Sequence, residues 1–188
     1  MKVLICCESS GRVRDAFKAM GHDAWSNDLQ QTERPGNHLQ CDLRLAIQES
    51  WDFIGFHTDC TFMANSGVRW LFEQDGRWDK LEQACELFNI CLRDPRKGYL
   101  ENPIPHKYAV EKLDRNYDQL IQPWQFGHTT SKATCIWLKG IPELKATEIV
   151  PKEKRTQEIW RMAPGPDRKR DRSRTFENIA AAFAQQWG

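Results

Sequence analysis

The chain has 188 residues, 40% of them hydrophobic and 28% charged, with a formal net charge of +1. That suits one domain with its own core, excludes a disordered polyelectrolyte, and removes any global electrostatic pull towards nucleic acid. No apolar run approaches the ~20 residues of a membrane span, and the start MKVLICCESS turns polar too soon for a signal peptide, so a cytoplasmic protein with no membrane contact is expected.

In chain order, KVLIC (Lys2 to Cys6) reads as a buried strand. Val13, Phe17 and Met20 recur at helical spacing and predict a helix over Arg12–Met20 that stops at Gly21. HDAWS returns to strand character, and QTERPGNH is a loop turning at Pro35-Gly36. LQCDL is a third strand, followed by a short helix near Arg44–Ser50, and WDFIGF (Trp51 to Phe56) is a fourth strand. FHTDCTF then carries Cys60 out onto a loop, with Asn65-Ser66-Gly67 as the next turn. Asp79–Arg93 places Leu81, Ala84, Cys85, Phe88 and Leu92 on one face, the clearest helix in the chain. GYLEN (98–102) and Ala133–Leu138 are strands; His106–Leu113 and Ile179–Gln186 are helices. Alternating strands and helices predict a doubly wound, mostly parallel α/β sheet of Rossmann-like type, with helices on both faces, as one domain over 1–188.

Ligands of such sheets sit beyond the carboxyl ends of the strands. Glu8-Ser9-Ser10-Gly11, Asp28, Asp42, Cys60 and Glu101-Asn102 all fall there, one set after each of five strands. The first of these opens a helix whose N-terminal N–H groups are expected to face a ligand. It has one glycine, so it is neither a dinucleotide fingerprint nor a P-loop. Asp28, about 20 residues on, has the spacing of a ribose-binding acid, and Asp42 is placed to accept from an adenine amino group. Together they point to an adenosine cofactor. Taken one at a time, an acid at a strand end is usually just a helix cap or a solvated turn.

The seven cysteines (Cys6, Cys7, Cys41, Cys60, Cys85, Cys91, Cys135) contain no CxxC pair, and the five histidines form no HxxxH or HxH pair, so no metal site is expected. Charge is uneven. Nine basic residues against four acidic ones lie between Lys152 and Arg174, and Arg168, Lys169 and Arg170 are candidate phosphate contacts. The bland reading of this stretch is a solvated surface loop. Trp25, Trp70, Trp78, Trp124 and Trp137 read as core residues rather than base-stacking platforms.

Several longer runs carry a resemblance. They are Cys7-Glu8-Ser9-Ser10-Gly11-Arg12-Val13-Arg14-Asp15-Ala16-Phe17, Ser66-Gly67-Val68-Arg69-Trp70-Leu71, Glu101-Asn102-Pro103-Ile104, His106-Lys107-Tyr108-Ala109, Gln122 to His128, Thr134 to Gly140 and Arg172 to Gly188. With them the chain resembles, nearly end to end, the DNA cytosine-5 methyltransferases, in particular the short form of phages and prophages. The resemblance implies the S-adenosylmethionine-dependent methyltransferase type of sheet, a bacterial host cell and DNA as substrate. It assigns Cys60 as the nucleophile that adds to cytosine carbon 6, Glu101 as the partner of ring nitrogen 3, with Asn102 beside it, and Cys7, Glu8, Ser9, Ser10, Gly11, Asp28 and Asp42 to the cofactor. The target base has to be flipped out of the duplex for this chemistry.

The chain departs from that family in two places. Thr58 and Asp59 stand where the family has proline before its cysteine, so the loop is expected to be looser and the thiol disfavoured by the adjacent charge. Between Gly140 and Thr175 only about 35 residues replace the family's target-recognition domain, too few for an independent unit. Sequence specificity is then slight or supplied by a protein partner. The family's arginine cluster against the base carbonyl is missing, with Lys132 as a substitute. Three readings stay open: a DNA cytosine-5 methyltransferase; an idle relative that binds cofactor, nucleic acid or a host protein as decoy or regulator; and the same chemistry on RNA or a free nucleotide.

Overall fold

A computed structural model describes residues 1–188. Seven strands form one mixed sheet in the order β3-β2-β1-β4-β5-β7-β6. They are β1 (Lys2–Cys6), β2 (Asp23–Asp28), β3 (His38–Gln40), β4 (Phe53–Phe56), β5 (Lys97–Pro103), β6 (Gln119–Ile121) and β7 (Thr134–Lys139). The first five pair in parallel, and β7 runs antiparallel to both β5 and β6. The α/β expectation holds, with one reversed strand.

Both faces are covered, and strand alternation decides which residue goes where. Val3 and Ile5 of β1 pack with Val13 and Phe17 of α1 (Arg12–Ala19) and Phe183 and Trp187 of α8 (Glu177–Trp187). Leu4 and Cys6 face the other way, into a cluster with Leu81, Cys85 and Phe88 of α4 (Arg77–Arg93). This is why KVLIC reads as an unbroken apolar run: no face of β1 meets water.

Several boundaries differ from expectation, each for a local reason. The fourth strand starts at Phe53 because Trp51 donates its indole N–H to the Ala46 carbonyl at 2.9 Å and Asp52 accepts the Lys2 amide at 2.7 Å. The third strand ends at Gln40, since Asp42 turns aside to cap α2 (Leu43–Ala46), which is shorter than foreseen. The helix after His106 shrinks to α5 (Lys107–Val110). There Asn89 of α4 takes hold of the chain, donating to the Lys112 carbonyl at 2.9 Å and accepting from the Asp114 amide at 3.0 Å. The strand β6 was not foreseen; it has three residues and leaves Leu120 exposed, so it carries no readable period.

Between Gly140 and Thr175 there is no strand, only short helices that include α6 (Glu158–Arg161) and α7 (Arg168–Ser173). This tract is a strap across the carboxyl edge of the sheet. Lys169 pairs with Asp59 at 3.2 Å and Arg174 with Glu33, so it is tied to the loops after both β4 and β2. The remaining helix, α3 (Trp70–Glu73), follows the cysteine loop.

Candidate functional site

The strand order reverses between β1 and β4, and the crevice at their carboxyl ends is where doubly wound sheets take ligands. Two backbone bonds set its floor: His57 N–H to the Cys6 carbonyl at 3.0 Å and Glu8 N–H to the Asn27 carbonyl at 2.9 Å. Immediately after β1 the chain makes a turn that only an unusual backbone allows. Cys7 sits at φ 57°, the one non-glycine residue with positive φ, at a cost of order 1–3 kcal/mol. Gly11 follows at φ 71° as the N-cap of α1.

Glu8 does not hold its carboxylate out to a ligand. It is buried and accepts from Ser10 Oγ at 2.6 Å, the Val13 amide at 3.2 Å and the Arg14 amide at 3.4 Å. It therefore caps α1 from within the turn and occupies donors that were expected to face a ligand. Burial pushes its pKa up, against the pull of Ser10, His57 and the two amides. The Ser9 carbonyl is also engaged, by the Glu33 amide at 2.8 Å. What the turn offers a ligand is its close backbone, not the Glu8 side chain.

Arg14 shapes this half of the site, and nothing in the periodicity of α1 announces it. Its side chain is wholly buried. The guanidinium donates to Asp15 at 2.8 Å, to Ser26 and Thr32 at 3.1 Å each, and to the Arg34 carbonyl at 3.2 Å. A Cβ on Gly11 would lie 2.4 Å from it and one on Gly36 2.6 Å from it. Arg14 thus clamps the loop after β2 down onto α1, next to Asp28.

The two acids expected to hold an adenosine are present with partial prior commitments. Asp28 accepts the Gln30 amide at 2.9 Å through Oδ1, leaving Oδ2. Asp42 caps α2 through the Arg44 amide at 2.8 Å and pairs with the Arg44 guanidinium at 3.2 Å. Between them Asn27 is buried, donating to the carbonyls of Leu39 and Cys41 while its Oδ1 has no partner. Beyond Arg44 a cleft opens that is walled by Thr58, Asp59 and Phe62 on one side and by Lys80, Gln83, Ala84 and Leu87 of α4 on the other. Thr58 Oγ1 is buried and unpartnered at its rim. The cleft is partly apolar, with one acid, Asp59, against two basic groups, Arg44 and Lys80.

Glu101 and Lys132 line one small cavity at the sheet edge, and both act on the charge of Cys60. Burial pushes the Cys60 thiol up, followed by the negative charges of Glu101 and Asp59, while Lys132 pulls it down. Lys132 is pushed below the usual lysine range by burial, with Glu101 and Cys60 acting the other way. The cysteine loop is not loose. The Cys60 carbonyl accepts from the amides of Met63 at 3.1 Å and Ala64 at 2.9 Å. Arg77 donates to the Thr61 carbonyl at 3.0 Å, and His106 bonds the Phe62 carbonyl at 2.9 Å. Asp59 itself closes the turn on the Thr61 amide at 2.9 Å. Hydrogen bonds here do the stiffening that proline does elsewhere, which corrects the expectation of a wandering loop.

Alternation along β5 separates the neighbouring pair Glu101 and Asn102. Glu101 shares a face with Tyr99 and lines a small cavity with Lys132, Thr175, Ile179 and Phe183. Asn102 points to the α4 face, fully buried, with neither amide atom bonded. Its side chain is therefore not beside Glu101's.

His57 escaped the sequence reading. It stands at the end of β4, bonds Tyr99 Oη through Nε2 at 2.8 Å, and brings Nδ1 to 3.5 Å from Glu101 and 3.4 Å from Thr175 Oγ1. The available signal was the spacing of Tyr99 and Glu101, two apart on one strand, with a histidine just past the neighbouring strand.

The basic candidates already have partners within the chain. Arg168 donates to the Met162 carbonyl at 2.9 Å, Lys169 pairs with Asp59, and Arg170 pairs with Asp167 at 2.9 Å and Asp171 at 3.2 Å. Lys169 and Arg170 remain exposed. Among the tryptophans, Trp137 is core as expected, and Trp25, Trp70 and Trp124 are half-buried. Trp78 is not core: it lies at the surface in an edge-on cluster with Phe72 and Tyr108. A scan against protein-family models finds no match to this chain, and a search of curated proteins finds none.

Proposed function

We propose that the chain is an S-adenosylmethionine-dependent methyltransferase acting on carbon 5 of cytosine in DNA, through a cysteine adduct. The observation that supports this best is the proximity of Cys60, Glu101 and Lys132 at the sheet edge, near enough to act on one another's charge, beside a cleft walled by Arg44, Thr58 and Asp59. S-adenosylmethionine, bound along the Cys7–Gly11 turn, Asp28 and Asp42, supplies the methyl group. Cys60 as thiolate attacks carbon 6 and makes carbon 5 nucleophilic; Glu101 hydrogen-bonds ring nitrogen 3. Lys132 stabilises both the thiolate and the charge developing on the ring. The exposed strap offers phosphate contacts of low sequence specificity, and a protein partner is the route to anything sharper.

A second reading has its own observation. Burial, Glu101 and Asp59 all raise the Cys60 thiol, as in a relative that has kept the site and lost the activity. Bisulfite sequencing of DNA from bacteria expressing the chain separates the two readings. We expect new cytosine methylation that disappears with Cys60→Ala. Methylation equal to background for the unaltered chain refutes the enzyme and favours the binding protein.

A further inference from the structure

We infer that the strap binds an unpaired stretch of DNA, with Trp160 stacked on a base and Lys152, Lys154 and Arg161 on the phosphates. The inference names the strand state of the substrate and rests on the methyltransferase reading for what is then done to it.

The chain has eight tryptophans. All but Trp160 lie against another ring or carry a cation, as Trp124 carries Arg155 at 3.6 Å and Trp78 meets Phe72 edge-on. Trp160 stands on α6 with 72% of its surface exposed, the most exposed aromatic side chain of the protein. Its neighbours Ile159 and Met162 are half-buried, so the helix turns the indole outward. A bare indole contributes nothing to the core, and both its faces are open to a planar ligand.

Trp160 is tethered from both sides. Thr156 donates its amide to the Thr129 carbonyl at 2.8 Å and accepts from the Ser131 amide at 3.0 Å, next to Lys132. The span from Thr156 to Trp160 reaches ~14 Å at full extension. Further along, Arg168 donates to the Met162 carbonyl and Lys169 pairs with Asp59, the neighbour of Cys60. The strap thus carries Trp160 from the Lys132 side of the sheet edge to the Cys60 side.

The excess of basic residues on the strap selects an anion, and pairing decides which cations are free to meet it. Lys169, Arg170 and Arg174 are taken by Asp59, Asp167 and Glu33. Arg155 lies on Trp124, and Arg168 is held by the Met162 carbonyl. Lys152, Lys154 and Arg161 are exposed and pair with no carboxylate. They flank Trp160 along the chain. A polyanion whose flat rings can meet an indole is a nucleic acid. In a paired duplex the ring faces are stacked away and only their edges show. The helix α6 has 4 residues, too short to lie along a groove and read those edges. An unpaired strand presents phosphates and ring faces together.

Fluorescence anisotropy on the full chain, with labelled oligothymidine and with a duplex of the same length, tests this. The wild type should bind the single strand more tightly than the duplex. Trp160→Ala should weaken single-strand binding about tenfold, in the range of one base–aromatic stack, and change duplex binding by no more than about twofold. Trp160→Tyr keeps a stacking ring and should restore most of the loss. Replacing Lys152, Lys154 and Arg161 together by alanine should weaken both complexes and flatten the slope of log affinity against log salt by about 2 for the single strand. A wild-type preference for the duplex overturns the proposal. So does a Trp160→Ala variant that binds the single strand like wild type, loses the duplex equally, or is not improved upon by Trp160→Tyr. An unchanged salt slope in the triple variant overturns the phosphate contacts, and a chain that binds neither oligonucleotide at low salt overturns the whole and leaves the strap to a protein partner. Failure of the methyltransferase reading looks different: binding that depends on Trp160, with no trapping on 5-fluorocytosine in either strand form, removes the enzyme and leaves the strap as a single-strand binding surface.

Discussion

Asp59 plays two opposed parts beside Cys60. Its charge raises the thiol, behind burial and Glu101. Its carboxylate also closes the turn on Thr61 and pairs with Lys169 of the strap. Burial acts to raise the Asp59 carboxyl, but the bonds from Thr61 and Lys169 outweigh it and hold the group below its ordinary range, so it is ionised at neutral pH. A proline here would remove the charge and lose both contacts, so the informative change is Asp59→Asn. It retains an acceptor for the Thr61 amide. With the charge gone the Cys60 pKa falls, the thiolate fraction at pH 7 rises, and trapping of 5-fluorocytosine DNA should speed up by no more than about tenfold, the effect of one pKa unit. An Asp59→Asn variant slower than wild type would mean that the Lys169 tie matters more than the charge. The adjacent charge was legible in the sequence because it is one residue away. The larger causes, burial and Glu101, come from another strand and were not.

At the scale of elements, β5 is the strand on which the site depends. It carries Tyr99 and Glu101 on one face and Asn102 on the other, and it pairs with β4 on one side and β7 on the other. Its second residue, Gly98, lies opposite Ile54 at φ 149°, and a Cβ there would fall 1.8 Å from the Ile54 carbonyl oxygen. Gly98→Ala can be accommodated only by moving β5 off β4. We expect a loss of roughly 3 kcal/mol or more in denaturant unfolding, beyond the usual range of core overpacking, with Glu101 displaced from His57. A Gly98→Ala protein with unchanged stability would contradict this register. Strands and helices that bury a whole face, such as KVLIC and the helix around Leu81, Cys85 and Phe88, were readable from apolar pattern. Those set by a single captured side chain were not. Asn89 ending the helix after His106, and Asp42 ending the third strand, act through contacts that no local period encodes.

For the whole molecule, seven strands bring the ends of β1, β2, β4 and β5 to one edge, and the strap from Lys152 to Arg174 crosses that edge, tied at Asp59 and Glu33. The convergence of polar strand ends was visible in the sequence because parallel order follows from alternating strands and helices. The reversed β7 was not, since nothing in Thr134–Lys139 reports direction. Arg14 was missed for a related reason: a guanidinium buried between two glycines, Gly11 and Gly36, is assembled from residues 25 apart. If this edge forms the proposed cysteine adduct with cytosine, DNA containing 5-fluorocytosine should trap it. Fluorine at carbon 5 cannot leave as a proton does, so the thioether persists after methyl transfer. The expected result is a covalent protein–DNA band that requires S-adenosylmethionine, is absent in Cys60→Ala and is severely slowed in Glu101→Gln. A chain that binds the cofactor but gives no such band at any pH, or a band that survives Cys60→Ala, would contradict it.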